Sequence, residues 1–184
     1  MRGFLLALLL LLTGCATAPV EQQRPLLLDA PFVFNGRVSI KQDKRHDNAG
    51  VRWVHSEEAD EILLLAPLGK TVARIRRNEQ HATLDDASGR RYVSTDMESL
   101  MQQVLGWQLP LSGLRYWVTA LPAPDSESQV EREANGQVGL LRQDGWTISY
   151  SRYAGNAPDA LPLRLKLQRD GVEVLLLVDE WEEQ

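Results

Sequence analysis

The chain has 184 residues, of which 25 are acidic and 20 are Lys or Arg, so its formal net charge is −5 at neutral pH. This mildly acidic balance, without any basic block, argues against nucleic acid as a partner, because nucleic-acid-binding proteins present a positive surface to the phosphates. The length that remains after a leader is removed suits one domain large enough to bury a hydrophobic core.

The first residues predict a secretory signal followed by a lipid anchor. Arg2 precedes an apolar run over residues 4–12, which is shorter than the roughly 20 residues that a membrane-spanning helix needs, and small residues follow it. Residues 16–18 (ATA) would suit cleavage by an ordinary signal peptidase. Residues 12–15 (LTGC) instead resemble the lipobox of bacterial lipoproteins, where cleavage precedes a lipid-modified cysteine. Cys15 is the only cysteine, so it has no disulfide partner within the chain. We interpret residues 1–14 as the signal peptide and Cys15 as the lipid-attachment residue.

The anchor also predicts where the protein resides. One acyl chain holds a protein to a membrane only marginally, whereas a second makes the hold stable, and a lipoprotein cysteine carries three, as an N-acyl group and an S-diacylglycerol. By resemblance to lipoproteins generally, Ala16 is not the aspartate associated with inner-membrane retention, which points to the periplasmic face of the outer membrane. Residues 15–30 contain two prolines among polar residues and are predicted to form a tether. Residues 26–28 are all leucine and would also suit the start of the folded domain, which we place at residues 31–184.

Alternating apolar and polar residues predict five strands in the first half of the folded domain. Residues 32–40 (FVFNGRVSI) place apolar side chains on one face, with Gly36 as a bulge or bend. Residues 41–50, which include His46, are predicted to be a solvated turn, and residues 49–55 form the next strand. Residues 61–67 (EILLLAP) are apolar on both faces, as in a strand that is buried on each side or faces a cavity. Strands at residues 71–77 and 81–86 follow, and then a turn within residues 88–93.

Two helices are predicted to interrupt the strands. Thr95 followed by Glu98 fits a capping box, and Gly106 suits the C-terminal end of that helix. Ser112 is predicted to cap the second helix, which Pro122 ends. One apolar face of each helix is formed by Met97, Leu100, Met101, Val104 and Leu105 in the first and by Leu114, Trp117, Val118 and Leu121 in the second.

The last part of the chain shows the clearest alternation. Residues 137–143 and 146–153 flank the turn Asp144-Gly145, and residues 161–168 and 172–178 flank the turn Asp170-Gly171. Many antiparallel strands with two helices inserted midway predict an α+β fold. Periodicity does not tell whether the helices cover a solid core or a hollow, and an apolar stripe is more often plain core.

Motifs for catalysis or cofactor binding are absent from the sequence. Residues 69–71 (GKT) copy the end of a P-loop, but Leu64 stands where its first glycine belongs, and the following residues alternate as in a strand. The three histidines, His46, His55 and His81, lack metal-site spacing, and no G-x-S-x-G nucleophile motif is present. We therefore expect no enzyme activity, no metal and no cofactor apart from the acyl groups on Cys15.

Several short motifs resemble the LolB family of outer-membrane lipoproteins, and the resemblance covers residues 32–181. They are residues 34–37 (FNGR), 66–69 (APLG), 109–118 (LPLSGLRYWV), 143–153 (QDGWTISYSRY) and 161–167 (LPLRLKL). Their order, together with the lipobox, carries the resemblance. One departure is Ala120, where the family usually has glycine.

The resemblance implies a strongly curved antiparallel sheet, an unclosed half-barrel, whose inserted helices cover a hydrophobic cavity that takes acyl chains. It further implies a monomer that accepts acylated lipoprotein cargo from a soluble LolA-like periplasmic carrier and inserts it into the inner leaflet of the outer membrane. Leu68, between Pro67 and Gly69 at a hairpin tip, would serve this insertion. The residues expected to line the cavity are Phe34, Trp53, Leu64, Met97, Leu100, Met101, Trp117, Leu121 and Tyr150. The alternative is a structural or assembly lipoprotein that binds another envelope protein without lipid transfer.

Overall fold

The computed structural model describes residues 29–182, so the predicted signal peptide, Cys15 and most of the predicted tether lie outside the described residues. The described part contains one antiparallel sheet of eleven strands. The strands are β1 (Phe32–Gln42), β2 (Arg45–His55), β3 (Asp60–Leu65), β4 (Thr71–Arg77), β5 (Ala82–Asp86), β6 (Arg91–Ser94), β7 (Ser128–Arg132), β8 (Val138–Gln143), β9 (Trp146–Tyr153), β10 (Pro162–Arg169) and β11 (Val172–Trp181).

The order of the strands leaves the sheet unclosed. They run β6-β5-β4-β3-β2-β1-β11-β10-β9-β8-β7, so the first and last strands of the chain pair at the centre, and β6 and β7 form the two edges. Residues 95–127, which we call the lid, connect these edges and contain both helices. Inward side chains from both halves of the sheet share one hydrophobic core with the lid. The predicted α+β fold, with an unclosed antiparallel sheet and inserted helices, is confirmed.

Gly36 forms the predicted bulge in β1. The pairing between β1 and β11 shifts register between Asn35 and Gly36. A Cβ atom at Gly36 would collide with the backbone carbonyl of Leu177 on the neighbouring strand. The glycine of the FNGR motif is therefore required by the close approach of two strands at the centre of the sheet.

The structure corrects several local predictions in the first half of the chain. β2 begins at Arg45, so His46 lies in a strand, and the turn is confined to the two residues after β1. The first helix, α1 (Met97–Leu100), is capped by Asp96 instead of Thr95, because the Asp96 carboxylate accepts the N–H groups of Glu98 and Ser99. The chain continues from α1 into a single π-helical turn (Met101–Leu105), and Gly106 ends it in the left-handed conformation, as predicted.

In the second half, one prediction differs from the structure and one strand was not predicted. The second helix, α2 (Leu111–Trp117), begins after Pro110, so the prediction that Ser112 caps it is wrong. Glu98 takes over the capping role, since its Oε1 accepts the backbone N–H of Ser112 at 3.0 Å and the hydroxyl at 2.6 Å. The strand β7 was not predicted, because all five of its residues are exposed and show no apolar alternation.

α2 also ends earlier than predicted, and Ala120 explains how. The N–H of Leu121 donates to the carbonyl of Tyr116 at 3.1 Å, and the N–H of Ala120 donates to that of Trp117 at 3.0 Å. This is the Schellman arrangement, whose left-handed position is usually glycine. Ala120 occupies it with φ of 58°. Ala120 therefore places a Cβ where backbone sterics oppose it.

We expect Ala120→Gly to raise the free energy of unfolding by about 0.5–1 kcal/mol. Relief of the left-handed strain, worth about 1–2 kcal/mol, exceeds the loss of a buried methyl group, about 0.8 kcal/mol. Urea unfolding measures the change. Ala160→Gly is the matched control, because Ala160 is equally buried but has no positive φ, and it should lower stability. Equal losses in both variants would contradict the assignment of strain to Ala120.

Candidate functional site

An apolar cavity lies between the inner face of the sheet and the lid. Its volume is about 40 Å³. The side chains around it are all apolar or aromatic and come from both the sheet and the lid: Phe34, Val38, Val51, Trp53, Ile62, Leu64, Met101, Trp107, Leu109, Leu111, Leu114 and Leu176. A space of this size has room for about three water molecules, whereas pockets for organic ligands measure roughly 300–1,000 Å³. The cavity in this structure is therefore too small to hold an acyl chain.

The structure separates the predicted lining residues into two groups. Phe34, Trp53, Leu64 and Met101 border the cavity. The others lie in the core or at its margin away from it: Met97, Leu100, Trp117, Leu121 and Tyr150. The segment between the two helices also lines the cavity, which was not predicted. Its signal is the alternation of Trp107, Leu109 and Leu111 in WQLPL, which places three apolar side chains on one side.

Trp117 and Tyr150 hold the lid to the far half of the sheet. Trp117 donates from Nε1 to Oε1 of the buried Gln143 at 2.8 Å, and the same oxygen accepts the N–H of Ala123 at 2.8 Å. The Tyr150 hydroxyl donates to the carbonyl of Trp117 at 2.8 Å. These bonds fix one end of the lid, because buried polar groups are costly to leave without partners.

The lid is also attached to β2 at the margin of the cavity. Trp107 donates from Nε1 to Oδ2 of Asp47 on β2 at 2.9 Å. Arg45 pairs with the same carboxylate at 2.9 Å and is largely exposed. Its guanidinium also occupies the space beside Gly106 where a Cβ would lie. These contacts tie the segment between the two helices to β2 at the margin of the cavity.

Aromatic rings form the floor at one end of the core. The Phe34 ring packs edge-on against Trp181 with centroids 5.3 Å apart, and Phe32 packs edge-on against Trp53 at 5.4 Å. Such edge-to-face pairs are the geometry that aromatic rings prefer. These aromatic side chains are therefore closely packed against one another.

A buried polar cluster lies beneath this floor. Oδ1 of Asp60 accepts the Trp53 Nε1–H at 2.9 Å and lies 2.7 Å from Nδ1 of His55, while Oδ2 accepts from Nε of Arg77 at 2.6 Å. The second ring nitrogen of His55 lies 3.1 Å from Asp29. Burial alone raises the pKa of Asp60, but the hydrogen bonds from His55, Trp53 and Arg77 outweigh it and hold this pKa below its ordinary value.

The hairpin tip between β3 and β4 presents Leu68 to solvent. The N–H of Ala66 donates to the carbonyl of Lys70 at 2.8 Å, and the N–H of Gly69 donates to the carbonyl of Ala66 at 2.8 Å. Gly69 has φ of 79°, which glycine adopts without steric cost. Leu68 is 99% exposed, more than any other large apolar side chain within residues 29–182. The turn is closed by its own backbone, so it holds the leucine outward without help from the core.

Residues 29–182 contain no cluster of three metal-ligating side chains. Within the same residues, no helix has the length and hydropathy to cross a bilayer.

Comparison with known proteins places these features in a family. The family model described as "Outer membrane lipoprotein LolB" matches residues 30–181. An outer-membrane lipoprotein LolB from Chromobacterium violaceum is 41% identical, with 98% of both chains covered. One from Nitrosomonas europaea is 35% identical, with 98% of this chain and 92% of the relative covered. A LolA superfamily protein from Nitrosomonas europaea shares the fold with a TM-score of 0.54 at 11% identity, covering 89% of this chain and 90% of the other.

Proposed function

The chain belongs to the LolB family of outer-membrane lipoproteins, and on that premise we propose that it accepts lipoproteins from a LolA-like carrier and inserts them into the inner leaflet of the outer membrane. In this proposal Cys15 carries three acyl chains that hold a monomer on the periplasmic face. The acyl chains of the cargo occupy the hollow between sheet and lid.

The wholly apolar lining of the internal cavity is the observation that carries the proposal. Every residue around it suits hydrocarbon, yet the closed volume of about 40 Å³ is far too small for an acyl chain. The lid therefore has to lift before cargo enters. Its helices are only four and seven residues long, and helices this short gain little stability of their own. We place the start of this movement at Trp107, whose hydrogen bond to Asp47 lies at the margin of the cavity.

Transfer in this scheme runs downhill without nucleotide hydrolysis. The cargo's acyl chains bind this hollow more tightly than that of the carrier, and they bind the bilayer more tightly still. Each tenfold preference corresponds to about 1.4 kcal/mol. Direct handover between two apolar hollows avoids exposure to water, which would cost about 0.8 kcal/mol for each methylene.

The geometry lets the anchor and Leu68 reach the same membrane. Pairing of Phe32 with His55 and of Gly50 with Leu65 places the start of β1 and the hairpin tip at opposite ends of the sheet. Five residues of strand separate those levels, about 17 Å. The fourteen residues 15–28 can span at most about 50 Å. The chain length before Asp29 is therefore sufficient for the tip to face the surface to which Cys15 is anchored.

We expect Met101→Ala to bind a dansyl-labelled fatty acid about threefold more tightly than the wild type, while Met97→Ala binds it equally well. Both methionines are buried and lie one turn apart, but only Met101 borders the cavity. Truncation there enlarges the hollow and lowers the cost of the binding-competent state. Fluorescence titration measures this in the full chain with Cys15→Ala, so that no anchor competes for the hollow.

The melting temperature supplies the control for this pair. Both truncations should destabilise the fold by roughly 2–5 kcal/mol, as large-to-small changes in cores do, so stability alone does not separate them. Absence of saturable fatty-acid binding in the wild type would contradict the acyl-binding hollow. That outcome would leave the alternative of an assembly lipoprotein that binds another envelope protein.

A further inference from the structure

A second and larger depression lies on the outer face of the sheet, which is the face turned away from the core. We call it the outer groove. Its volume is about 800 Å³. Its lining comes from three sources: the outer face of the sheet (Arg37, Ser39, Lys41, His46, Asn48, Gly50, Leu65, Leu175 and Leu177), the hairpin tip (Ala66, Pro67 and Gly69), and Val38 and Ala49, which also pack against the core.

The pairing of the strands explains why a groove forms there. Arg37 pairs with Gly50 on one side and with Leu177 on the other, and Gly50 pairs with Leu65. Gly50 has no side chain, and a Cβ there would stand 3.3 Å from the Cβ of Leu65. The glycine therefore leaves a trough in an otherwise covered face. Pro67 and Gly69, which flank Leu68, form one wall of the trough.

The chemistry of the groove is divided between apolar walls and basic groups. Leu65, Leu175 and Leu177 are half-buried on the outer face, although outward residues of a sheet are ordinarily polar. The charged residues that line the groove, Arg37 and Lys41, are both basic, in a chain of net charge −5. No carboxylate is among its lining residues.

Of the two basic groups, Lys41 remains available to an anionic ligand, whereas Arg37 donates two hydrogen bonds to Asp179, at 2.8 and 3.1 Å. Lys41 lies 3.5 Å from Glu173, and its side chain is 57% exposed. Exposed ion pairs of this kind are worth little, so a phosphate can compete for the ammonium group. Nε2 of His46 lies 2.9 Å from the hydroxyl of Ser39 on the same face, which adds polar groups beside Lys41.

We propose that the outer groove binds one phospholipid of the target bilayer, with an acyl chain against Leu65, Leu175 and Leu177 and the phosphate beside Lys41. The volume lies within the range of roughly 300–1,000 Å³ that is typical of small-molecule sites. The proposal rests on the proposed function, in that the hairpin tip meets the membrane. The groove is continuous with that tip through Pro67 and Gly69, so a lipid leaving the leaflet beside Leu68 enters it directly. Its removal opens a gap in the leaflet for the acyl chains of the cargo.

Photolabelling in a bilayer tests the outer groove. The full-length acylated protein is reconstituted in vesicles of phosphatidylethanolamine and phosphatidylglycerol, with a phosphatidylglycerol that carries a diazirine in its acyl chain. After irradiation, mass spectrometry maps the labelled residues. Label is expected on Leu175 and Leu177 of β11 as well as on Leu68. Leu65→Gln should lower the label on β11 about tenfold, because it places a polar amide in the apolar wall.

Leu63→Gln is the matched control. Leu63 lies two residues before Leu65 on the same strand and face and is equally half-buried, but it does not line the groove. Its substitution should leave the label on β11 unchanged. Lys41→Gln gives a second variant at an exposed position. It should reduce labelling by the phosphatidylglycerol probe while circular dichroism stays the same.

The outcomes of this experiment distinguish failure of the outer-groove proposal from failure of the proposed function on which it rests. Label on Leu68 without label on β11 would overturn the groove and leave delivery by the tip intact. Absence of label at Leu68 would instead count against the membrane contact of the proposed function. Cross-links between two protein copies across β11, or equal losses in Leu65→Gln and Leu63→Gln, would also overturn the proposal.

Discussion

Leu68→Glu is expected to abolish delivery of lipoprotein to a bilayer while leaving the fold and the acceptance of cargo intact. Leu68 is 99% exposed, and the turn around it is closed by backbone hydrogen bonds that do not involve its side chain. Changes at such surface positions shift stability by within about 0.5 kcal/mol. The acidic side chain resists entry into apolar surroundings, because burial of a charge without a partner is costly. A two-step assay measures both functions: cargo captured from the carrier, then cargo recovered with liposomes.

The controls for this prediction test the chemistry and the position of the side chain. Leu68→Ile and Leu68→Phe should keep most delivery, since an apolar protrusion is all that the tip requires. Val93→Glu is the positional control, because Val93 is 62% exposed on the edge strand β6 but is not part of the tip. It should deliver cargo normally. Unchanged delivery by Leu68→Glu would remove the tip from the mechanism, and loss of cargo acceptance would show that the side chain serves the first step.

The elements that were predictable from the sequence are those determined by neighbouring residues. In the turn between β10 and β11, Asp170 and Gly171 have φ of 47° and 79°. In the turn between β8 and β9, Asp144 and Gly145 have 51° and 76°. Two consecutive positive φ values are the signature of the hairpin turn for which Asp-Gly is selected. The strands on either side then follow from strict alternation of apolar and polar residues.

The features that the sequence did not reveal depend on partners distant in the chain. Ser112 is a good capping residue by composition, but the carboxylate of Glu98, fourteen positions earlier, already accepts a free backbone N–H in the first turn of α2. β7 is a strand only because β8 pairs with it, since its own residues are all exposed. The cavity volume depends on how twelve side chains from the sheet and the lid pack together. Periodicity predicted that Met97 and Met101 both face inward, but only packing decides which of them borders empty space.

Asp60→Ala is expected to lower the free energy of unfolding by about 3–5 kcal/mol, as is typical when one partner of a buried ion pair is removed. The Asp60 carboxylate is buried and accepts from Trp53 and Arg77 while it contacts His55. Its loss leaves these groups in the protein interior without their acceptor. Urea unfolding at neutral pH measures the change. Glu61→Ala, at the next position, is the control, since Glu61 forms a half-exposed pair with Arg76 and its removal should cost less than about 1 kcal/mol.

The pH dependence of unfolding, measured for the wild type and for Asp60→Ala, shows whether the charge of Asp60 is responsible for this stabilisation. Because the pKa of Asp60 is lower in the folded protein than its ordinary value, the folded state binds this proton less readily than the unfolded state does. The resulting stabilisation is fully present above the unfolded pKa of about 4. It is lost as the pH falls through the lower folded pKa, since stability rises with pH only where the unfolded state binds more protons.

The difference in unfolding free energy between the wild type and Asp60→Ala should therefore be constant from neutral pH down to about 5 and shrink below about 4. Taking the difference cancels the titration of those shared groups that lie away from Asp60. A difference that stays constant through the acid range would show that shape and packing, and not the carboxylate charge, hold His55, Trp53 and Arg77 in place.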